Sequence, residues 1–285
     1  MASIQMPVLG RRNRERIQRT FALLLLLPGL IWVILPTAWM FSASFSGLEQ
    51  IFRFPPELWP DPWVFTNFTE AFTVRPFGRY FWNSTQIAVI RVVGQILGAS
   101  LAGYAFARLN APFREKIFLV VLSTMMIPFT VTMIPQFVIF KNLGWLNSYK
   151  PLIIPFFGGG PVFIFLFRQF FRSISEEIFE AARLDGCGYF GIYWRILLPL
   201  SLPVIATSSI LIFQNSWQWL IGPLIYLNKN DLYTIPLGLA TFRATVGASP
   251  WNLIMAVSIA AAIPPIALFF FGQRLLLSGI VVTEK

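Results

Sequence analysis

A chain of 285 residues that is 56% hydrophobic, 16% aromatic and only 12% charged has a mean hydropathy of +0.67, too apolar for an ordinary soluble domain. Its formal charge of +10 comes from basic residues gathered between apolar runs, which points to membrane orientation rather than nucleic-acid binding. With no histidine and a single cysteine, Cys187, an intrachain disulfide, a Cys/His metal site and a Ser/His/Asp triad are excluded.

In chain order, Arg11, Arg12, Arg14, Arg16 and Arg19 precede the apolar run Phe21 to Phe41. That run exceeds a usual signal-peptide core and lacks a clear cleavage pattern, so a retained signal-anchor span is expected. Residues 1–19 read as a basic cytoplasmic segment and residues 20–285 as one membrane domain. A helix needs about 20 apolar residues to cross a bilayer. Runs of that order fall at 20–43, 82–107, 117–139, 151–171, 201–228 and 251–273. The short alternating segments of a closed barrel are missing. The expected fold is therefore all-α: a polytopic membrane protein with six transmembrane helices.

With the N-terminus inside, the inner segments carry fourteen Lys and Arg residues and the outer ones seven, which places both termini in the cytoplasm. The longest outer loop, about 44–81, holds Pro55, Pro56, Pro60, Pro62 and Pro76 with Trp59 and Trp63. Proline disfavours long helix and aromatic rings suit the headgroup zone, so an interfacial cap with short helices is expected. Asn67-Phe68-Thr69 and Asn83-Ser84-Thr85 fit the glycosylation pattern, which also arises often by chance.

Pro128 and Pro135 interrupt the third span, Gly158-Gly159-Gly160-Pro161 the fourth and Pro264-Pro265 the sixth. Such breaks are either kinks or non-helical backbone lining a path. Gly94 and Gly98 permit close helix approach. Arg91 lies within the second span, and no expected span offers it an acidic partner; a partner subunit, a wet cavity or anionic lipid are the readings open to it.

Between the fourth and fifth spans the chain turns polar, about 172–200. Ser173-Ile174-Ser175-Glu176 has the capping-box pattern, with Glu176 and Glu177 in a first helical turn. Ile174, Ile178 and Ala182 would share a face, and Ala181-Ala182 would form a small-residue patch open to another protein. Gly186 is a natural left-handed stop, and a second short helix is expected from Tyr189 to near Pro199.

Glu180-Ala181-Ala182, three residues, Gly186, nine residues, Ile196, one residue and Leu198-Pro199 match the EAA signature at every defined position, in the loop before the penultimate span. On these residues the chain resembles ABC importer permeases of the carbohydrate-uptake branch, of the maltose-transporter MalG type. The basic N-terminus, the long first outer loop and Asn215-x-Trp217 extend the likeness, while Gly279-Ile280-Val281-Val282 matches the family tail only loosely. The resemblance implies that Glu180, Ala181, Ala182, Asp185, Gly186, Ile196, Leu198 and Pro199 couple the chain to an ATPase through a cytoplasmic coupling helix. It implies a second permease subunit, probable heterodimer partner of this one, and two ATPase subunits that bind ATP and Mg. It further implies an extracytoplasmic solute-binding protein, a bacterial or archaeal cytoplasmic membrane, and a sugar as cargo. This chain would hold no cofactor, no metal and no catalytic residue; it has no Gly-Lys dipeptide and so no phosphate-cradling Walker loop.

The fifth span also contains Gln214, Asn215, Ser216, Trp217, Gln218 and Trp219. Amides in a span are costly unless paired or wet, and amides with indoles suit sugar recognition. Gln214, Asn215, Trp217 and Gln218 are the candidates for the substrate path, with interhelical bonding as the alternative. A self-contained secondary transporter or channel would place carboxylates or histidines within the membrane, and here the acids lie in loops or tails. A permease for a peptide, polyamine or osmolyte keeps the same mechanism with other cargo.

Overall fold

The computed structural model describes residues 11–245 and 249–281, and every regular element among them is helical. Four helical stretches are long and apolar enough to cross a membrane: Arg19–Ser44, Phe77–Arg108, Lys150–Ser173 and Trp251–Gln273. Two bent pairs bring the total to six when each counts as one span. The chain divides into two units, Met1–Glu70 with Pro250–Ile259 and Ala71–Ser249 with Ala260–Lys285.

In the first unit, α1 (Arg11–Ser44) exposes Phe21, Leu24, Trp32 and Val33, and none of its most apolar stretch is buried. A helix apolar on all sides and uncovered belongs in a membrane. Beyond it the expected cap has short helices at Leu48–Ile51 and Thr66–Val74. Phe45 packs against Trp63, Phe65 and Phe68. The Asn67 amide is buried and donates to Ser44 O at 3.0 Å and Ser46 O at 2.9 Å, so this residue pins the loop and is not a modification site. At the cap's exposed edge, a hydrogen bond from Gln50 and the neighbouring Arg53 hold the Glu57 carboxyl below its usual range.

In the second unit, α2 (Phe77–Arg108) is the post on which the rest is hung. Asn83, in the other glycosylation-like triplet, is buried and donates to Asp231 O and Tyr233 O. Gly94, Gly98 and Gly103 make one flank of α2 bare backbone. A Cβ on Gly98 would lie 2.0 Å from Phe157 O, and one on Gly94 would lie 2.4 Å from the Phe157 ring. The interrupted fourth span settles onto this flank, so the sequence pair Gly94/Gly98 and the Gly158–Gly160 break are two sides of one contact.

The third expected span, 117–139, is a bent pair. Helix α3 (Arg114–Ser123), extended by a 3₁₀ turn to Met126, meets α4 (Phe129–Asn142) at 99°. Pro128 offers no N–H, and its ring forces Ile127 into an extended conformation at ψ 111°. The fourth span starts with short turns from Lys150, passes Gly159 at φ +86° and Gly160 at φ +72°, and continues as α5 (Pro161–Ser173). Only glycine takes those angles without strain.

The polar loop forms α6 (Glu176–Leu184) and α7 (Tyr189–Leu200), the latter widened by a π turn at Tyr193–Leu197. Then α8 (Leu202–Trp217) departs from α7 at 75°. The expected fifth span, 201–228, ends its first helix at Trp217 and resumes as α9 (Ile221–Tyr226). The Trp219 ring lies where a Cβ on Gly222 would be, at 2.3 Å, and this tight fold-back separates the two pieces. Helix α10 (Ile235–Thr245) follows, and α11 (Trp251–Val281) outruns the expected 251–273. Pro264 and Pro265 do not interrupt α11. A proline at 265 leaves the carbonyl of residue 261 without its helical donor, and Trp217 Nε1 donates to Ala261 O at 3.0 Å. Of the loosely matching tail, Gly279, Ile280 and Val281 belong to α11, and Val282 lies outside the described residues.

Candidate functional site

Two places in the second unit concentrate polar chemistry. The first is the loop after α5. The carbonyls of a helix's last turn lack intrahelical donors and carry the negative end of its dipole. Arg108, the last residue of α2, supplies what α5 lacks: Nε donates to Phe171 O at 3.0 Å, and Nη2 donates to Phe171 O at 2.7 Å and to Ile174 O. Its Nη1 pairs with the Glu176 carboxylate, and its guanidinium carbon lies 4.2 Å from the Phe179 ring centroid. One side chain thus ties the end of α2 to the end of α5 and the start of α6. Arg168 on α5 adds a second tie, bonding both Glu115 oxygens at 2.7 and 2.6 Å and Phe106 O at 3.2 Å.

The expected capping box does not form. Ser173 Oγ donates to Phe170 O instead, the residue preceding α6 is Ser175, and Glu176 is taken by Arg108. The guanidinium offers the Glu176 carboxylate a charged donor in place of the Ser173 N–H, and Ser173 itself still belongs to the last turn of α5.

The inward face of α6 is Phe179 and Ala182, buried against Tyr104, Phe171, Ile192, Tyr193 and Leu197. Ile178, expected on this face, is 40% exposed: Phe179 takes its place, and Ile174 precedes the helix and packs at the margin. The two alanines part company, Ala182 packing inward and Ala181 outward. Glu180, Arg183, Asp185 and Gly186 join Ala181 on the outer surface, with Leu184, Tyr189 and Phe190 more than half exposed. Gly186 adopts φ +78° as expected, and the turn closes with Gly186 N donating to Arg183 O and Cys187 N to Ala182 O. Further on, Ile196 and Leu198 pack against the cluster under α6, and Pro199 is exposed. The signature therefore divides into an outward set around Ala181 and an inward set that roots it. Tyr193 contributes to the root: its hydroxyl shares a 2.7 Å hydrogen bond with Ser100 on α2, and its ring stacks on Tyr104.

The second place is a cavity of about 380 Å³ lined by Phe129, Gln136, Pro151, Pro155, Phe156, Asn215, Trp219 and Tyr226. Of the four candidates expected on a path, only Asn215 lines it. Gln214 is half-buried and Gln218 exposed elsewhere. Trp217 is buried, stacked on Phe213 and occupied with Ala261 O, so it serves packing. The indole at the cavity is Trp219, whose ring meets Phe129 and Phe156 edge-on. Arg91, 2% exposed, reaches Asn215 Oδ1 at 3.4 Å and lies against Phe156 and Trp219.

Sequence reasoning passed over Arg108, Tyr193, Gln136 and Tyr226. Arg108 stood among the orientation charges, and nothing local marks the others. Among the described residues no group of three or more His, Cys, Asp and Glu is placed to hold a metal.

Comparison with known proteins supplies the remaining observations. Residues 94–281 match the family described as binding-protein-dependent transport system inner membrane component. The chain is 35% identical over 252 residues to the arabinooligosaccharides transport system permease protein AraQ of Halalkalibacterium halodurans, covering 87% of this chain and 90% of that one. It is also 35% identical over 277 residues to the sn-glycerol-3-phosphate transport system permease protein UgpE of Agrobacterium fabrum, covering 94% and 98%. In fold it is similar to a chain of a bacterial ABC transporter involved in the import of the acidic polysaccharide alginate. That likeness has a TM-score of 0.84 at 22% identity over 95% of this chain and 100% of the other.

Proposed function

This chain belongs to the family of inner membrane components of binding-protein-dependent transport systems, and from that premise we propose that it forms half of an ATP-driven path for a sugar or sugar-like solute. The other half is a second permease subunit, in a heterodimer. Two ATPase subunits bind ATP and Mg, one of them docking on the outer face of α6, and an extracytoplasmic binding protein delivers the solute. Both termini and the α6–α7 loop lie on the cytoplasmic side, where the excess of Lys and Arg falls. The cargo class is supported by relatives named for arabinooligosaccharides and sn-glycerol-3-phosphate. A neighbour in fold, with a TM-score of 0.67, is an alginate transporter in complex with an alginate pentasaccharide-bound periplasmic protein, which supports the delivery step.

The observation that carries this reading is the build of α6. Among the described residues its outer face is free of intrachain packing, while its inner face and first turn are fastened to α2 and α5. A rigid outer helix of this kind transmits displacement: closure of the ATPase pair moves α6, and Arg108 and Tyr193 carry the movement into α2, whose Arg91 touches the cavity-lining Phe156, Trp219 and Asn215. Glu180, Ala181, Asp185 and Gly186 form the contact, and Ala182, Ile196 and Leu198 hold it in place.

Ala181→Trp tests the docking. It leaves expression and folding of this chain unchanged, because Ala181 faces outward, and lowers substrate-stimulated uptake by about tenfold or more while ATP hydrolysis persists, a coupling loss in the usual 1–3 kcal/mol range. Normal coupled uptake in this variant, with no crosslink from Ala181→Cys to an ATPase subunit, refutes the docking.

A further inference from the structure

Directly behind the cavity wall, and on it at Tyr226, lie hydrogen-bond donors that the fold leaves unused. Arg91 lies with its guanidinium carbon 3.5 Å from the Phe156 ring centroid and 5.0 Å from that of Trp219. Aromatic faces attract the charge and accept none of its in-plane N–H groups. Its contact with Asn215 is long at 3.4 Å, and Nε and Nη1 have no partner. No carboxylate among the described residues pairs with it. Tyr226, 1% exposed on the same wall, likewise leaves its hydroxyl unpartnered. Three of Arg91's neighbours, Phe156, Trp219 and Asn215, line the cavity directly.

Burying a cation without a counter-charge is costly, and an idle hydroxyl on the same cavity adds a second unmet donor. A purely structural arginine finds its carbonyls, as Arg108 and Arg168 do on the same scaffold. We propose that this cavity receives an oxyanion, the carboxylate or phosphate of an acidic solute, with Arg91, Tyr226 and Asn215 as its donors. The planar fork of a guanidinium matches either group in a two-point bond, and the Gln136 amide on the same wall is free to meet sugar hydroxyls. The volume of about 380 Å³ falls within the range of small-molecule sites. This inference rests on the reading that solute crosses through this cavity, and it narrows the solute to an anionic one.

The test uses the complete complex in nanodiscs and three radiolabelled probes of similar size: glucuronate, glucose 6-phosphate and glucose. One of the two charged probes is expected to bind at least about tenfold more tightly than glucose, a difference of about 1.4 kcal/mol, and the better one identifies carboxylate or phosphate. Arg91→Gln removes the preference, so that the charged probes and glucose bind alike; Tyr226→Phe, which keeps the ring and its packing, reduces it severalfold. Equal binding of all three probes, or an undiminished preference in Arg91→Gln, overturns the proposal while ATP-driven sugar uptake leaves the transport reading intact. If none of the probes binds, the proposal is overturned, and ATP-driven sugar uptake decides the transport reading separately. Failure of Arg91→Gln to assemble with the second membrane subunit marks Arg91 as an interface charge and also overturns the proposal.

Discussion

Arg91 and Arg108 sit on the same helix, about 25 Å apart at 1.5 Å per residue, and they are opposites. Arg108 is fully employed: two backbone carbonyls, a carboxylate and a ring share its guanidinium. Arg91 is more deeply buried and nearly idle. The difference separates fastening from function. A charge whose donors all find partners within its own chain stabilises an arrangement. A buried charge with most of its donors unpartnered keeps chemistry in reserve for something that arrives. One helix thus joins a rigid end, rooted in the loop that meets the ATPases in the proposed mechanism, to an end that is chemically unfinished.

The comparison breaks most readily at the joint between the two ends. Gly98 lies between them, with its would-be Cβ 2.0 Å from Phe157 O, a backbone atom that cannot rotate away. Gly98→Leu is expected to cost about 3 kcal/mol or more by overpacking, and to abolish monodisperse protein in detergent chromatography. A well-folded Gly98→Leu protein would show that the fourth span does not lie on this flank. Arg108→Ala comes next. Losing charge-assisted bonds to Phe171 O and Ile174 O costs about 2–4 kcal/mol. The expected readout is faster hydrogen exchange at the start of α6, with uncoupled ATP hydrolysis. Exchange that stays at the wild-type rate would mean that Arg108 is not the fastener. Tyr193→Phe is the smallest step. It removes only the hydroxyl shared with Ser100, worth about 1 kcal/mol, and should lower the melting temperature of the complex by a few degrees without changing which probes the cavity prefers. A changed preference would show that the two ends are not separable.

The legibility of these two regions in the sequence was unequal. The outer loop could be read closely because its determinants are local: Gly186 must turn left-handed, Glu176 and Glu177 favour a helix start, and the spacing to Leu198-Pro199 carries the family pattern. Even there the capping box failed, because Arg108, distant in sequence, claimed Glu176. The cavity was legible only through Asn215. Trp217 looked as suitable as Trp219, and nothing near it in sequence shows that its indole would be consumed by the carbonyl freed at Pro265. Pro128 bent its span and Pro264-Pro265 did not, since the residue before Pro128, Ile127, is extended, whereas the Ala261 carbonyl freed at Pro265 finds a donor.

Composition and run length by themselves determined that this is a multi-helix membrane protein, and residue spacing determined the helix–turn–helix that projects from it, because hydropathy and backbone angles are properties of neighbouring residues. Tertiary structure alone decided which polar side chains were spent on other parts of the chain and which remained available. That depends on which donors and acceptors meet across more than a hundred residues of sequence, as Arg91 and Asn215 do, and no local rule encodes it.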